Sequence, residues 1–295
     1  MRCTRAMAMA ALLVAAGCGG DEQSGAPSTT APTAATSTTV MAPGPSTAGG
    51  STVPGSAATA SGPERLGVTI LDRRPHDPEA FTEGLLFTDD GRLFESLGLT
   101  GKSTVREVDP ETGRVMLERR LAPELFGEGL AQGPNGLVQL TWKEGKALTW
   151  SVDDLTAGPE LALQGEGWGL TFDGEHFVQS DGSNRLTVRD ATTFSEIRVI
   201  GVRLDGVEVD ELNELEWVDG VIYANVWHSD EIYRIDPATG VVTAVIDASS
   251  LWQDPDRTDE MTLNGIAHRP GDPSDRLWLT GKNWPEMFEV RVTGP

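Results

Sequence analysis

A short motif recurs along this chain at intervals of 40 to 51 residues, and that spacing limits the choice of fold more than any other feature. The motif is a Gly-Leu step or a close variant, preceded by a polar or aromatic residue, as in FGEGLA and GEGWGL. Its five occurrences begin at positions 84, 129, 169, 214 and 265. A repeat of about 40 to 50 residues that holds four strands is typical of one blade of a β-propeller. The sequence therefore predicts an all-β domain, a five-bladed β-propeller with four-stranded antiparallel blades.

Short apolar strands separated by turn signals support this prediction. Segments such as HFVQSDG, VIYANVW and MFEVRV fit half-buried strands, and DPETG, DGSN and DPATG between the strands are typical of turns. No window of the domain shows the apolar stripe of an amphipathic helix. The fifth unit supplies only three strands, so we expect residues 67–73 to add the fourth and close the ring. Closure of this kind would remove an exposed sheet edge.

The residue before each repeat step has a defined place in such a ring. The first strand of each blade lines the central channel, so these residues are expected at one mouth of the channel, once per blade. They are Glu83, Glu128, Trp168, Asn213 and Asn264. The ring forms either a ligand site or a set of polar groups that only hold ordered water.

Aromatic side chains and a lysine are expected around the same mouth. Phe81 and Phe126 lie two positions before the ring glutamates and therefore share their face of the strand. The second strands end on further candidates, namely Trp142, Trp227, Lys282 and Trp284. Lys143 fits either the pocket or a solvated turn. Aromatic walls with a few convergent polar groups are typical of a small-ligand site.

The other tryptophans and all the histidines are expected to have structural roles. The tryptophans that we expect to pack between blades are Trp150, Trp217, Trp252 and Trp278. The histidines are His76, His176, His228 and His268. Their spacing is not that of metal ligands, so we expect them at the surface or in turns. The sequence therefore predicts no metal site and no cofactor.

The first 63 residues differ in composition from the rest of the chain. Residues 1–17 combine a short basic start with an apolar stretch too short to span a bilayer, which is typical of an export signal. The end of this segment resembles a bacterial lipobox, so Cys18 is predicted to carry lipid. Residues 18–63 are rich in Ser, Thr, Ala, Gly and Pro, a composition that cannot form a packed core. We therefore predict an exported lipoprotein, anchored on the extracytoplasmic side (periplasmic or cell surface), with a folded domain over residues 64–295.

The charge of the chain excludes one class of partner. Asp and Glu number 45 against 23 Lys and Arg, which gives a formal net charge of −22. A surface with this charge repels the phosphate backbone of nucleic acids. We therefore expect no nucleic-acid partner, and contact with the membrane only through the lipid at Cys18.

Several motifs together resemble one known family. FTEGLLF, FGEGLA, LTWKEG, GEGWGLTFDG, NELEWVDGVIYANVW and LTGKNWP are similar to segments of the plant and bacterial type of glutaminyl-peptide cyclotransferase. The resemblance runs in order over residues 66–293. It implies a five-bladed β-propeller enzyme that converts an N-terminal glutaminyl residue of peptides or proteins to pyroglutamate and releases ammonia without a metal. We expect this enzyme to be a monomer.

The resemblance also implies a role for each site residue. The acid/base glutamate falls on Glu128, and the other catalytic positions fall on Asn213 and Lys282. The substrate-binding positions are Phe81, Glu83, Phe126, Trp142, Trp168, Trp227 and Asn264. The family pattern is FTQGL where this chain has FTEGL, so Glu83 stands in place of a glutamine. We expect Glu83 to be mostly protonated and to donate a hydrogen bond as glutamine would.

Two other functions fit the same residues. A non-catalytic lipoprotein could use the pocket to bind peptide N-termini or other small ligands. A calcium-dependent hydrolase of the lactonase kind could use Glu83, Glu128, Asn213 and Asn264 as oxygen ligands. Against the second stand the five-unit count, Trp168 in the ring and Lys282 beside it.

Overall fold

A computed structural model of the chain describes residues 62–294. The predicted export signal, Cys18 and residues 18–61 of the predicted tether lie outside the described residues. The described part consists of strands and turns and contains no helix, which confirms the all-β prediction. Accordingly, residues 62–294 hold no helix long and apolar enough to cross a membrane.

Most strands belong to five runs of consecutive antiparallel strands. The first run contains β2 (Thr82–Phe87), β3 (Leu93–Leu97), β4 (Thr104–Val108) and β5 (Val115–Arg120). The second contains β6 (Gly127–Gly133), β7 (Gly136–Thr141), β8 (Lys146–Trp150) and β9 (Leu161–Ala162). The third contains β10 (Leu170–Phe172), β11 (His176–Ser180), β12 (Arg185–Asp190) and β13 (Glu196–Gly201). A small hairpin follows, made of β14 (Arg203–Leu204) and β15 (Val207–Glu208).

The last two runs are joined into one sheet by the strand that opens the domain. The fourth run contains β16 (Leu212–Val218), β17 (Val221–Val226), β18 (Glu231–Ile235) and β19 (Val242–Asp247). The fifth contains β20 (Leu263–Ala267), β21 (Arg276–Gly281) and β22 (Glu286–Thr293). The opening strand, β1 (Glu64–Pro75), is antiparallel to β22, with Gly67 opposite Thr293 and Pro75 opposite Glu286. It thus adds the expected fourth strand to the fifth run, over slightly more residues than the predicted 67–73.

One pairing of β1 was not predicted. Residues 64–67 of β1 also run parallel to β19, with Glu64 opposite Ala244. The fourth and fifth runs therefore form a single eight-stranded sheet, whereas the first three runs form separate four-stranded sheets.

The hydrophobic core lies between neighbouring runs. Five clusters of buried side chains each draw their members from two runs: first and second, second and third, third and fourth, fourth and fifth, and fifth and first. In the cluster between the fifth and first runs, for example, Trp278 packs with Leu93 and Phe87. The four tryptophans predicted to be structural all pack into these clusters, two of them buried and two partly buried, which confirms that prediction.

Glycine in the repeat motif is explained by the close approach of successive first strands. A Cβ on Gly129 would lie 2.5 Å from the Leu170 nitrogen, and a Cβ on Gly169 would overlap the Asn213 carbonyl. Any side chain there would push the runs apart. The fourth motif has Glu214 in the glycine position, and its carboxyl accepts hydrogen bonds from the backbone of Leu85 (3.3 Å) and Ile266 (2.9 Å). This side chain therefore links the first strands of three runs.

Candidate active site

Irregular pairing marks the ring positions in four of the five first strands. The register of β2, β6, β16 and β20 shifts at the residues that include Glu83, Glu128, Asn213 and Asn264. A bulge of this kind bends a strand and changes the direction of a side chain. In the third run, β10 begins only at Leu170, two residues after Trp168. The ring residues thus leave the regular ladders at one end of the domain.

A pocket of about 270 Å³ lies at this end. It is lined by Phe81, Glu83, Leu99, Phe126, Glu128, Trp142, Trp168, Asn213, Trp227, Glu260 and Lys282. Nine of the ten residues to which the family resemblance assigns a role line this pocket. The sequence reasoning missed Leu99 and Glu260, which lie in loops outside the repeated motif.

The tenth of these residues, Asn264, does not line the pocket. It is fully buried behind Glu83, where its amide donates to Glu83 Oε2 (3.1 Å) and to the Thr82 carbonyl (2.8 Å). Its contact with the pocket is therefore indirect, through Glu83.

The aromatic wall consists of two groups of ring contacts. Phe126 packs edge-on to Phe81 at 6.4 Å between ring centroids and lies 5.6 Å from Trp142. On the other side, Trp168 meets Trp227 at 5.6 Å with the rings nearly perpendicular. Edge-to-face packing of this kind fixes ring positions. The wall is therefore formed before a ligand arrives.

Glu166 forms hydrogen bonds with two tryptophans that belong to neighbouring runs. Its Oε2 accepts hydrogen bonds from the indole of Trp142 (2.9 Å) and from the indole of Trp168 (3.1 Å). Lys143, left open by the sequence, lies over the Trp142 ring (3.7 Å) and pairs with Glu166 (3.4 Å). It is half exposed and does not line the pocket. The motif GEGWGL contained Glu166, but its role depends on a partner 24 residues away.

The polar floor of the pocket contains one ion pair. Lys282 Nζ lies 2.8 Å from Glu83 Oε1 and 4.7 Å from the centroid of the Phe81 ring. Both charged side chains are at least nine-tenths buried. Burial raises the pKa of Glu83, and the charge of Lys282 opposes that rise. Glu83 thus receives donors on both of its oxygens, from Lys282 and Asn264.

Glu128 is buried in the same floor but has no such partners. No side-chain or backbone donor within residues 62–294 forms a hydrogen bond with its carboxyl, although it is only 6% exposed. Burial first, and then the charge of Glu83, raise its pKa well above the usual range. We expected the proton on Glu83, but these contacts favour it on Glu128, because Glu83 is the carboxyl with two donors.

Asn213 completes the floor and has an unused polar atom. It is 3% exposed, and its side-chain oxygen has no hydrogen-bond partner within the described part of the chain. The Ser180 hydroxyl donates to its backbone carbonyl (2.6 Å), which fixes the strand that carries it. This oxygen is therefore able to accept a hydrogen bond from a ligand.

Two side chains differ from the sequence predictions. Trp284 does not rise to the pocket but is buried in the core, where its indole donates to the Met261 carbonyl (3.0 Å). His76 was expected at the surface or in a turn, and it is buried as well. Its Nε2 lies 2.8 Å from Glu95 and its Nδ1 lies 2.6 Å from the Trp284 carbonyl. The error for His76 arose because its partners are distant in sequence.

The donor set does not favour a cation. No cluster of three or more His, Cys, Asp or Glu side chains suited to a metal occurs within residues 62–294. More directly, the ammonium group of Lys282 already occupies one oxygen of Glu83, and a cation bound there would meet a positive charge. The calcium-ligand alternative is therefore weaker than the sequence alone suggested.

The fold and the pocket together define a class of protein. It is an all-β domain of antiparallel sheets, with an aromatic pocket and a buried carboxyl in the pocket floor. The chain belongs to the glutamine cyclotransferase family, because that family's model matches residues 45–292.

Two known proteins are similar to most of the domain. Glutaminyl-peptide cyclotransferase from Arabidopsis thaliana is 37% identical over 229 residues, which cover 76% of this chain and 71% of the relative. The crystal structure of Myxococcus xanthus glutaminyl cyclase matches with 40% identity and a TM-score of 0.71, over 78% of this chain and 98% of that one. These matches confirm the family resemblance predicted from the motifs.

Proposed function

We propose that this protein is a glutaminyl-peptide cyclotransferase that converts the N-terminal glutamine of peptides to pyroglutamate and releases ammonia, without a metal or other cofactor. The observation that carries the proposal is Glu128, a buried carboxyl without a hydrogen-bond partner within residues 62–294, in the floor of an aromatic pocket. The names of the two relatives support the same activity.

The size of the pocket suits a single residue. Its volume of about 270 Å³ is smaller than the roughly 300–1,000 Å³ of sites for larger ligands. The reaction is intramolecular, since the α-amine of the glutamine attacks its own side-chain amide carbon. Aromatic walls that hold the side chain folded toward the amine would supply the near-attack geometry.

Glu128 is proposed as the proton relay. As the new N–C bond forms, the amine nitrogen must lose a proton, and the leaving NH₂ must gain one as the old C–N bond breaks. In its ionised form, Glu128 takes the proton of the amine and gives it to the leaving nitrogen, so ammonia departs and Glu128 is ionised again. A pKa raised by burial brings Glu128 toward the pH at which the substrate amine also titrates.

Lys282 and Asn213 are proposed to stabilise the oxyanion that forms on the attacked amide. Lys282 is held by Glu83, and Asn213 lines the pocket, where the NH₂ of its side chain is the donor proposed for the oxyanion. Donors that are already in place cost no reorganisation when the charge develops. The proposed substrate-binding residues are Phe81, Glu83, Phe126, Trp142, Trp168 and Trp227, with Asn264 acting through Glu83.

The architecture proposed for the domain is a five-bladed β-propeller over residues 64–295, closed by β1 and acting as a monomer. The five clusters support the closed ring, because the cluster between the fifth and first runs gives every run two neighbours. The pairing of β1 with β22 supports closure by the opening strand.

The proposal for cellular location rests on the sequence alone. Residues 1–17 are proposed as a signal peptide, Cys18 as the lipidated residue, and the segment up to residue 63 as a flexible tether. The enzyme would then act on exported peptides at the extracytoplasmic face of a membrane. Labelling with a radioactive fatty acid that is lost in Cys18→Ser would test the anchor.

Ammonia release tests the proposed activity. The purified protein is incubated with Gln-Ala and with Gln-β-naphthylamide, with and without EDTA, and Glu128→Gln is the control. Ammonia that is released in EDTA and lost in the variant supports the metal-free reaction and the role of Glu128 together. Activity abolished by EDTA would refute metal independence. Binding of both peptides without ammonia release would instead identify a binding protein.

A further inference from the structure

A second cavity lies directly beside the pocket. It has a volume of about 480 Å³ and is lined by His228, Asp230, Arg257, Thr258, Asp259 and Thr262; we call it the outer cavity. His228 follows the pocket residue Trp227, and their rings lie 3.9 Å apart. Asp259 precedes the pocket residue Glu260. The two spaces therefore share one wall.

The outer cavity is built from ordered contacts. His228 Nδ1 lies 3.1 Å from the Asp259 carbonyl, which ties its two sides together. The Thr262 carbonyl accepts a hydrogen bond from the backbone of Lys282 (2.9 Å), so the cavity is fixed relative to the pocket floor. Thr262 is 4% exposed, and its hydroxyl has no hydrogen-bond partner within residues 62–294. Buried hydroxyls usually have a hydrogen-bond partner, either in the protein or in an ordered water molecule, so this one is a candidate to contact a molecule in the cavity.

The charge of the outer cavity is negative. Arg257 is neutralised by Asp230 through two hydrogen bonds (2.7 and 3.0 Å). Asp259 and Glu260 form no ion pair with any described residue and are exposed. Glu260 also acts on the pocket, since burial and, to a smaller extent, the charge of Glu260 raise the pKa of Glu83. The shared wall thus carries two acids without a matching base.

We propose that the outer cavity receives the residue that follows the N-terminal glutamine, and that it favours a lysine or arginine there. The inference rests on the proposed function. With the glutamine side chain and amine inside the pocket, the next residue is bonded to the glutamine carbonyl, and we place its path past Trp227 and Glu260, the wall that the two spaces share. Asp259 and Glu260 then face its side chain, and the Thr262 hydroxyl is available to its polar atoms. The preferred substrates are therefore cationic peptides.

Matched dipeptide amides test the preference. Rates of ammonia release are compared for Gln-Lys-amide, Gln-norleucine-amide and Gln-Glu-amide, which differ in charge but little in length. Glutaminamide, which lacks a second residue, tests the basic activity. We expect kcat/KM for the lysine substrate to exceed that for norleucine by about three- to tenfold at low salt, and the glutamate substrate to be poorest. About 500 mM salt should reduce this preference because it screens exposed charges.

Variants assign the preference to the shared wall. Asp259→Asn combined with Glu260→Gln should bring the ratio of lysine to norleucine close to one. Asp256→Asn is the matched control, since this acid is exposed in the same loop and lines neither cavity. It should leave the ratio and the glutaminamide rate unchanged. Thr262→Val should raise KM for the dipeptide amides more than for glutaminamide.

The possible results distinguish a failure of the cationic preference from a failure of the proposed function. Equal kcat/KM for the lysine and norleucine substrates at low salt would overturn the cationic preference while leaving the cyclotransferase intact. A lysine preference that persists in the double variant would show that residues outside the outer cavity recognise the cationic side chain. Failure to release ammonia from every substrate, glutaminamide included, would overturn the proposed function and this inference with it.

Discussion

Two buried glutamates, one in each of the first two runs, have opposite electrostatic environments. Glu95 is fully buried and is contacted by His76 (2.8 Å), the Thr82 hydroxyl (2.6 Å) and the Arg106 guanidinium (2.8 and 2.7 Å). Burial alone would raise the pKa of Glu95, but the charges of Arg106 and His76 outweigh burial and hold it at about 2. Glu128 is buried to a similar degree, has no such donors, and has a raised pKa.

The difference separates structural stability from reactivity. Glu95 is a carboxylate whose charge is balanced by its donors. It therefore connects structural elements and stays ionised near neutral pH. Glu128 is left unmatched next to a pocket, which makes the protein less stable locally but leaves a group that can take and give a proton. The electrostatic environment of Glu83 is intermediate. Glu83 follows Thr82, whose hydroxyl contacts Glu95, and it pairs with Lys282 in the floor of the pocket.

Glu128→Gln should lower kcat by about 10²- to 10⁴-fold, because the amide cannot relay a proton. The free energy of unfolding should not fall, since a neutral amide replaces a buried carboxyl that has no donor within the described residues. Steady-state ammonia release and urea unfolding measure the two effects. If the variant is inactive because it is unfolded, the proposed difference between a structural Glu95 and a reactive Glu128 is wrong.

Glu95→Gln should destabilise the domain by about 3–5 kcal/mol, because it leaves the Arg106 and His76 charges buried without their partner. Urea unfolding at neutral pH measures the loss. The variant should also unfold less steeply with acid: the depressed pKa of Glu95 contributes stability above the unfolded value of 4.5, and this is lost as pH falls toward about 2. An unfolding free energy equal to that of wild type would refute the structural role of Glu95.

His76→Gln should have a smaller effect on stability, confined to part of the pH range. Burial would lower the pKa of His76, but Glu95 outweighs it and the pKa is raised. The contribution of a raised histidine is fully present below its unfolded pKa of about 6.5 and is lost as pH rises through the folded pKa. The difference between wild type and variant should therefore shrink from pH 6 toward pH 9. A constant difference would show that packing, not charge, is responsible.

Glu83→Gln should have the smallest effect and should keep most of the activity. Part of the rise in the pKa of Glu128 comes from the charge of Glu83, after the larger part from burial. Removing that charge lowers the pKa of Glu128, so the acidic limb of the kcat/KM profile should move to lower pH. An unchanged limb would mean that Glu83 is uncharged in the active enzyme, which is what we expected from the sequence.

Much of the site could be predicted because the repeat assigns one position per run. Once the motif gave the period, Glu83, Glu128, Trp168 and Asn213 followed as residues of equivalent position, and all four line the pocket. The sequence also predicted that the opening segment would pair with the last strand, because the fifth run lacked one. Periodic features of this kind are encoded locally.

Other features could not be predicted because they depend on contacts between distant segments. His76 is fixed by Trp284, 208 residues later, and nothing near His76 in the chain indicates this. Asn264 occupies a ring position, but its amide is directed to Glu83, 181 residues away. The bulges at the ring positions shift the first strands by one residue, and alternation of apolar and polar residues does not reveal them.

The pairing of β1 with β22 has a consequence for how the chain could be cut and rejoined. Gly67 lies opposite Thr293, so the two ends of the domain are neighbours on adjacent strands. A short linker could join them, and new termini could be opened in an exposed turn such as Glu111–Gly113. Such a circular permutant would place the last three strands and β1 in one uninterrupted stretch of chain. If this permutant folds, the structure of the domain does not depend on which of its residues is translated first.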